Sequence, residues 1–338
     1  MILISNYFLA ITFTILAMIC WGSWANTQKM AQKNWRFELY YWDLIIGIFL
    51  MALISAFTVG SFGNQGRSFL EDVVGANWVS IGYAALGGAL WNAGNILLVA
   101  AIAVAGMSVA FPIGGGLAWV LGIVLNYILI ILDKGAYDGN VVMLWPGVGV
   151  IIIAIILSSR AYAQLAHQRQ EPTLKGILLS VSAGLLIAMF YPVTVKSLDN
   201  TFVAGGTGNL TPYTSIVFFS LGIIISTFIL NPIFMRYPVQ GSRVRMKEYW
   251  QGSFKTHLTG VLGGAIWMLG MIVSFMAVSR ANPAISYAMS NAAPVVAMIW
   301  GVFVWKEFKE APRKTNYLIA FIFFFYLLGL VMITASSA

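Results

Sequence analysis

Trp91 and Trp267 sit in the middle of two apolar segments, each inside a related eight-residue pattern. The patterns are Gly87-Gly88-Ala89-Leu90-Trp91-Asn92-Ala93-Gly94 and Gly263-Gly264-Ala265-Ile266-Trp267-Met268-Leu269-Gly270. Membrane tryptophan concentrates at the headgroup interfaces, where the indole N–H reaches water. Two of them at mid-segment leave two readings open: packing between helices, or the wall of a wet cavity whose indole faces stack on a ring-shaped solute. Asn92 and Asn95 flank Trp91, and Asn95 lies one helical turn from it. Carboxamides at that depth are costly unless paired or hydrated, and they offer both donors and acceptors to a neutral solute. Ser290-Asn291 ahead of Pro294, and Pro112 ahead of Gly114-Gly115-Gly116, mark two places where a helix should kink or break. Broken helices at membrane depth are tolerated where they line a cavity.

Asp43 is the one carboxylate expected inside an apolar helix, about one turn from its start. It must face protein or water and have a partner, and Lys29 at the end of the first apolar segment is the expected one. The pair reads as an ion pair at the inner face or as a proton-coupling carboxylate. His167 and His257 fall in or beside loops, which argues against a buried histidine relay. The chain has no G-x-x-x-x-G-K-[ST] loop, no H-E-x-x-H and no cysteine cluster. ATP-driven pumping by this chain alone is thereby excluded. No enzyme chemistry, cofactor or metal is called for.

The elements that must hold these residues are helices in a bilayer. Hydrophobic residues make up 60% of the 338 and charged ones 9%, with a mean hydropathy of +0.85. A soluble domain needs about a quarter charged residues. Apolar blocks at 6–28, 40–60, 77–104, 107–131, 141–159, 174–195, 212–235, 257–280, 282–305 and 316–336 predict an all-α membrane protein with ten transmembrane helices. A tight turn at Ala105-Gly106 joins the third and fourth blocks. No Lys or Arg precedes Lys29, so the first block reads as a retained helix and not a signal peptide. The lone Cys20 lies inside that block and says nothing about redox compartment. The net charge of +8 does not point to nucleic acid, because the basic residues lie in short segments between blocks. Of the 19 Lys and Arg, only Arg67, Lys134, Lys196 and Arg280 fall after even-numbered helices. The other fifteen follow odd-numbered ones, Lys33 and Arg169 among them, and should be cytoplasmic. Both termini then face outward.

The two Gly-Gly-Ala-x-Trp patterns stand at a constant offset of 176 residues, which pairs the third helix with the eighth. A weaker echo, Trp24-x-x-Thr27-x-Lys29 beside Tyr191-x-x-Thr194-x-Lys196, pairs the first with the sixth. The unit is therefore five helices, with halves at 1–160 and 161–338, and an odd count inserts the second copy upside down. Inverted repeats of this kind are the architecture of secondary transporters, with the solute near the midplane between halves.

Trp21-Gly22-Ser23-Trp24-Ala25-Asn26-Thr27, followed by Tyr40-Tyr41-Trp42-Asp43, resembles the ureide permease and bacterial L-rhamnose–proton symporter branches of the drug/metabolite transporter superfamily. The resemblance implies a ten-helix inverted-repeat fold and proton-coupled uptake of a small neutral polar solute. Together these features nominate Trp21, Trp24, Asn26, Trp91, Asn92, Asn95, Tyr191, Trp267, Ser290 and Asn291 for solute binding, and Asp43 with Lys29 for proton coupling. The loop at 160–173 is short, whereas plant ureide permeases carry a long one, so import of an L-rhamnose-like sugar across a bacterial inner membrane is the leading expectation. A ureide, nucleobase or nucleoside permease is the alternative. Metabolite or drug export is disfavoured by the charge distribution, and a non-transporting scaffold would not need mid-membrane tryptophans in a repeat.

Overall fold

Ten helices long and apolar enough to cross a membrane dominate the computed structural model, which describes every residue except 5, 33, 64–65, 106, 138, 165–172, 200–207, 310 and 337–338. They are α1 (Tyr7–Lys29), α2 (Phe37–Phe57), α3 (Trp78–Ala105), α4 (Pro112–Lys134), α5 (Val141–Tyr162), α6 (Leu174–Val195), α7 (Pro212–Arg236), α8 (Phe254–Ala281), α9 (Pro283–Val304) and α10 (Arg313–Ala335). Hydrocarbon offers no water to backbone N–H and C=O groups, so each crossing segment closes its hydrogen bonds within itself. Polar caps set the starts. Side chains of Asn6, Asn140, Thr173, Thr211, Ser253 and Asn282 accept from first-turn N–H groups of α1, α5, α6, α7, α8 and α9. Gly106, Lys33, His167 and Arg169 lie outside the described residues.

The expected irregular helices are irregular. Phe111–Gly115 forms a π-helical turn leading into α4, where Pro112 has no N–H to give, so the membrane span begins later than the apolar block at 107 suggests. α9 runs from Pro283 to Ser290, turns at Asn291-Ala292, resumes over Ala293–Ile299 and ends in a π-helical turn at Trp300–Val304. α1 is likewise interrupted, by a turn at Trp24-Ala25.

The principal helix neighbours recur when α1–α5 and α6–α10 are exchanged. α3 packs on α6 as α8 packs on α1; α2 packs on α8 as α7 packs on α3; α4 packs on α6 as α9 packs on α1. The pairs α2–α7, α4–α9 and α5–α10 map onto themselves. The closest crossings follow the same exchange. A Cβ on Gly88 of α3 would strike the Phe219 carbonyl of α7, and one on Gly264 of α8 would strike the Leu44 carbonyl of α2. Small residues let backbones touch in this way, and no side chain fits at either position. Their neighbours Gly87 and Gly263 abut the hydroxyls of Thr194 and Thr27, the two threonines of the weaker echo.

The odd-numbered loops gather at one end. Arg36 in the α1–α2 loop donates to the carbonyls of Ser242 (3.1 Å) and Gln240 (3.2 Å) in the α7–α8 loop. Both termini lie at the other end, where Arg280 donates to Ile4 O and the Asn140 N–H to Ser336 O. There the buried Arg67 bonds Asp72 and, at 2.8 Å, Asp199, tying the α2–α3 loop to the α6–α7 loop. Burial works against the Arg67 charge, but the two carboxylates outweigh it and hold its pKa above the ordinary value.

Candidate functional site

A cavity of about 770 Å³ penetrates the bundle from the basic end. Gln28, Lys29, Gln32 and Asn34 form its mouth, and Trp21, Trp91, Trp119, Phe190, Trp267 and Tyr326 form its deeper wall. Trp91 and Trp267, each at the centre of its helix, meet with ring centroids 4.0 Å apart. Trp21 stacks on Trp267 at 5.9 Å and donates its indole N–H to the Trp267 carbonyl at 3.0 Å. The two tryptophans of the repeated pattern thus touch each other where α3 meets α8, and they do so on the wall of a cavity. They pack on one another and also line the cavity.

Polar groups enter this wall sparingly. Asn95 lines it and donates to Tyr41 Oη at 3.4 Å. Asn291 lines it from the break in α9 and donates to the Tyr287 carbonyl, which leaves its Oδ1 free to accept. Ser158 joins Tyr326 at 3.3 Å, and Trp119 donates to the Ala288 carbonyl. Among the described residues, Lys29 at the mouth is the only charged one on the lining.

Several expected residues lie elsewhere. Asn92 points away from the cavity, toward α2 and α7; it accepts from Tyr41 Oη (2.5 Å) and Thr227, and donates to Ser226. Its amide is spent on packing, while through Tyr41 it supports Asn95. Asn26 accepts from Trp305 Nε1 at 2.6 Å outside the lining. Tyr191 and Ser290 lie below the cavity in a fully buried knot. Tyr191 Oη bonds Ser274 (2.9 Å) and Ser286 (3.0 Å), and Ser290 bonds Ser274. This knot closes the bundle on the side of the termini. Trp24 and Lys29 remain at the cavity.

The pairing expected between Asp43 and Lys29 does not form. Lys29 bonds Glu307 of the α9–α10 loop at 2.6 Å and is half exposed, a contact worth about 0–1 kcal/mol. Asp43, only 1% exposed, is held by two other groups. Tyr249 Oη donates to it at 2.6 Å, and His257 Nδ1 lies 2.9 and 3.0 Å from its two oxygens. Burial, with the Asp43 carboxylate adding to it, pushes the Tyr249 hydroxyl pKa well up, so this group stays a donor. His257, expected beside a loop, is four residues into α8 and faces α2. A lone carboxylate and a histidine that both start helices at the same end were the available signal. Trp35 stands between this cluster and the cavity: it lines the cavity and meets the His257 ring edge-on at 5.6 Å.

Comparison with known proteins follows this geometry. A family profile described as Ureide permease matches residues 40–173 and 165–336. Ureide permease 2 of Arabidopsis thaliana is 26% identical over 395 residues, covering 97% of each chain. Ureide permease 1 of the same plant is 24% identical with the same coverage. Probable ureide permease A3 of Vigna unguiculata is 26% identical over 90% of this chain and 97% of its own. A crystallised protein of 14% identity superposes with a TM-score of 0.61 over 97% of this chain and 98% of its own, a likeness of fold alone. These relatives are ureide permeases, and they give the sugar-porter expectation no support. The alignment to ureide permease 2 is longer than the 338 residues here, so the plant protein carries insertions and the short loop at 160–173 does not exclude this branch. The chain belongs to the ureide permease family, and is a membrane transporter and not an enzyme.

Proposed function

We propose that this protein imports a flat, neutral ureide or nucleobase-like solute by proton symport. The observation that carries the reading is the composition of the cavity wall among the described residues: indoles at its depth, carboxamides from α3 and α9, and charge only at the mouth. Aromatic faces stack on any planar ring. The Asn95 and Asn291 amides match the alternating N–H and C=O groups of a ureido or lactam edge. A sugar, with a hydroxyl on nearly every carbon, would leave many of its hydrogen bonds unmade against such a wall.

Two inverted five-helix halves, 1–160 and 161–338, are the frame we propose for transport, supported by the exchange symmetry of helix neighbours and by Trp91 meeting Trp267. The cavity open at the basic end and the Tyr191 knot at the other suit one state of an alternating-access cycle. Coupling falls to Asp43 with His257. α8 carries both His257 and Trp267, ten residues or about 15 Å apart along one helix, so a shift of α8 with solute also changes the Asp43 contact.

Proteoliposomes holding the purified protein should accumulate radiolabelled allantoin or uracil when an inward proton gradient is imposed, and not L-rhamnose. Accumulation of L-rhamnose with neither heterocycle would overturn the solute class. Uptake of none, without thermal stabilisation by any of the three, would favour a scaffold. For orientation, the basic end should be cytoplasmic. A reporter enzyme active only in the periplasm, fused after Ala338, should be active in a bacterial host; a silent fusion of a well-expressed protein would invert the assignment.

A further inference from the structure

A second recess, a groove of about 960 Å³, lies on the outer face of the bundle between α2 and α7 at the basic end, roofed by residues 242–250. It shares no lining residue with the solute cavity. Its wall toward the membrane is apolar: Trp42, Ile46, Phe228 and Pro232, with Phe228 tilted against Trp42 at 5.3 Å. Its rim carries Arg236, Arg243 and Arg245, all exposed. Among the described residues none of these three guanidiniums is in an ion pair, and Glu248 is the nearest acid in sequence, its carboxylate already accepting the Arg245 backbone N–H at 2.9 Å. Arg236 and Arg243 are gathered by one ring, lying 5.4 and 5.8 Å from the centre of Tyr237. Trp250, also on the lining and largely exposed, is placed as an interfacial tryptophan is.

An apolar slot topped by three arginines outside any described ion pair, two of them gathered on Tyr237, matches one ligand chemistry. We infer that this groove is a site for an anionic phospholipid, its phosphate held by Arg236, Arg243 and Arg245 and an acyl chain laid along Trp42, Ile46 and Phe228. Guanidinium forks suit phosphate oxygens. A zwitterionic lipid would bring the same chain but a compensating ammonium, and a free phosphate would bring no chain. The site is independent of which solute is carried.

Native mass spectrometry and thermal unfolding of the detergent-purified protein test this, with phosphatidylglycerol, phosphatidylcholine and inorganic phosphate as probes. The native chain should bind phosphatidylglycerol about tenfold or more tightly than phosphatidylcholine, since each basic residue adds to anionic-lipid affinity. The variant R236Q/R243Q/R245Q should lose that preference to within about twofold while keeping its melting temperature in phosphatidylcholine. K309Q/K314Q, which removes two positive charges at the same end but away from the groove, should keep the preference. Equal affinity of the native chain for both lipids would overturn the inference, as would a preference that survives in the triple arginine variant. Saturation by inorganic phosphate that abolishes lipid discrimination would reassign the groove to a soluble anion.

Discussion

Asp43→Asn protein in proteoliposomes should exchange solute across the membrane at a rate near that of the native chain and fail to accumulate it against a gradient. The argument rests on what surrounds the carboxylate. Asp43 is packed so closely on α8 that a Cβ on Gly260 would strike its own Cβ, and its oxygens are met by Tyr249 and His257. Asparagine keeps an oxygen for the Tyr249 hydroxyl and an amide that can donate to a neutral imidazole, so the helix contact survives. What disappears is the carboxylate proposed to carry the proton. Under proton symport, uphill movement needs that proton, whereas counterflow needs only the solute site and the conformational change. Asp43→Ala is a poorer probe, because it strands the buried Tyr249 hydroxyl at about 1–3 kcal/mol and takes away the partner of the half-buried His257 ring as well. Accumulation by Asp43→Asn protein at the native level, under the same imposed proton gradient, would remove Asp43 from the coupling role. His257→Gln should reproduce the loss in part and shift the pH at which uptake is half-maximal; a native pH profile would show that the imidazole only packs.

The parts of this molecule that one helix settles by itself were legible in the chain. Ten spans follow from segment length and hydropathy, and the breaks in α4 and α9 follow from Pro112 and Pro294. The Gly-Gly-Ala-x-Trp pattern was also readable, because a repeated close crossing forces the same small residues at the same register; Gly88 and Gly264 are those contacts. Partner choice was not. Lys29 and His257 both lie at the basic end, within sequence-level reach of Asp43, and only the packing of α2 on α8 decides for His257. The direction in which a helix faces is equally a property of the assembly. Asn92 and Asn95 are three residues apart, yet one faces α2 and α7 and the other the cavity. Trp119 and Tyr326, stacked at 5.9 Å on the far wall, carried no repeat to single them out.

Trp91 offers the sharpest separation of binding from packing. It is 5% exposed, and its ring meets Trp267 at 4.0 Å and Phe219 at 6.5 Å, so removing it entirely costs stability as well as any stacking. A buried Trp→Ala change costs about 3–5 kcal/mol. Loss of function in Trp91→Ala protein alone would therefore decide nothing. Trp91→Phe keeps an aromatic face against Trp267 but withdraws the wider half of the indole from the cavity. Stacking of a heterocycle on an aromatic side chain is worth about 1–3 kcal/mol. Affinity should therefore fall by about 5–150-fold in Trp91→Ala, and by less in Trp91→Phe, measured as solute-dependent thermal stabilisation of whatever folded protein remains. Phe219→Ala, which removes a ring that meets both Trp91 and Trp267 but lies outside the cavity lining, should lower melting temperature and leave affinity within about twofold. Equal affinity losses at Trp91 and Phe219 would mean that the indole cluster acts only as a strut between the halves, and that the solute is held nearer the mouth, by Trp24, Gln28 and Asn291.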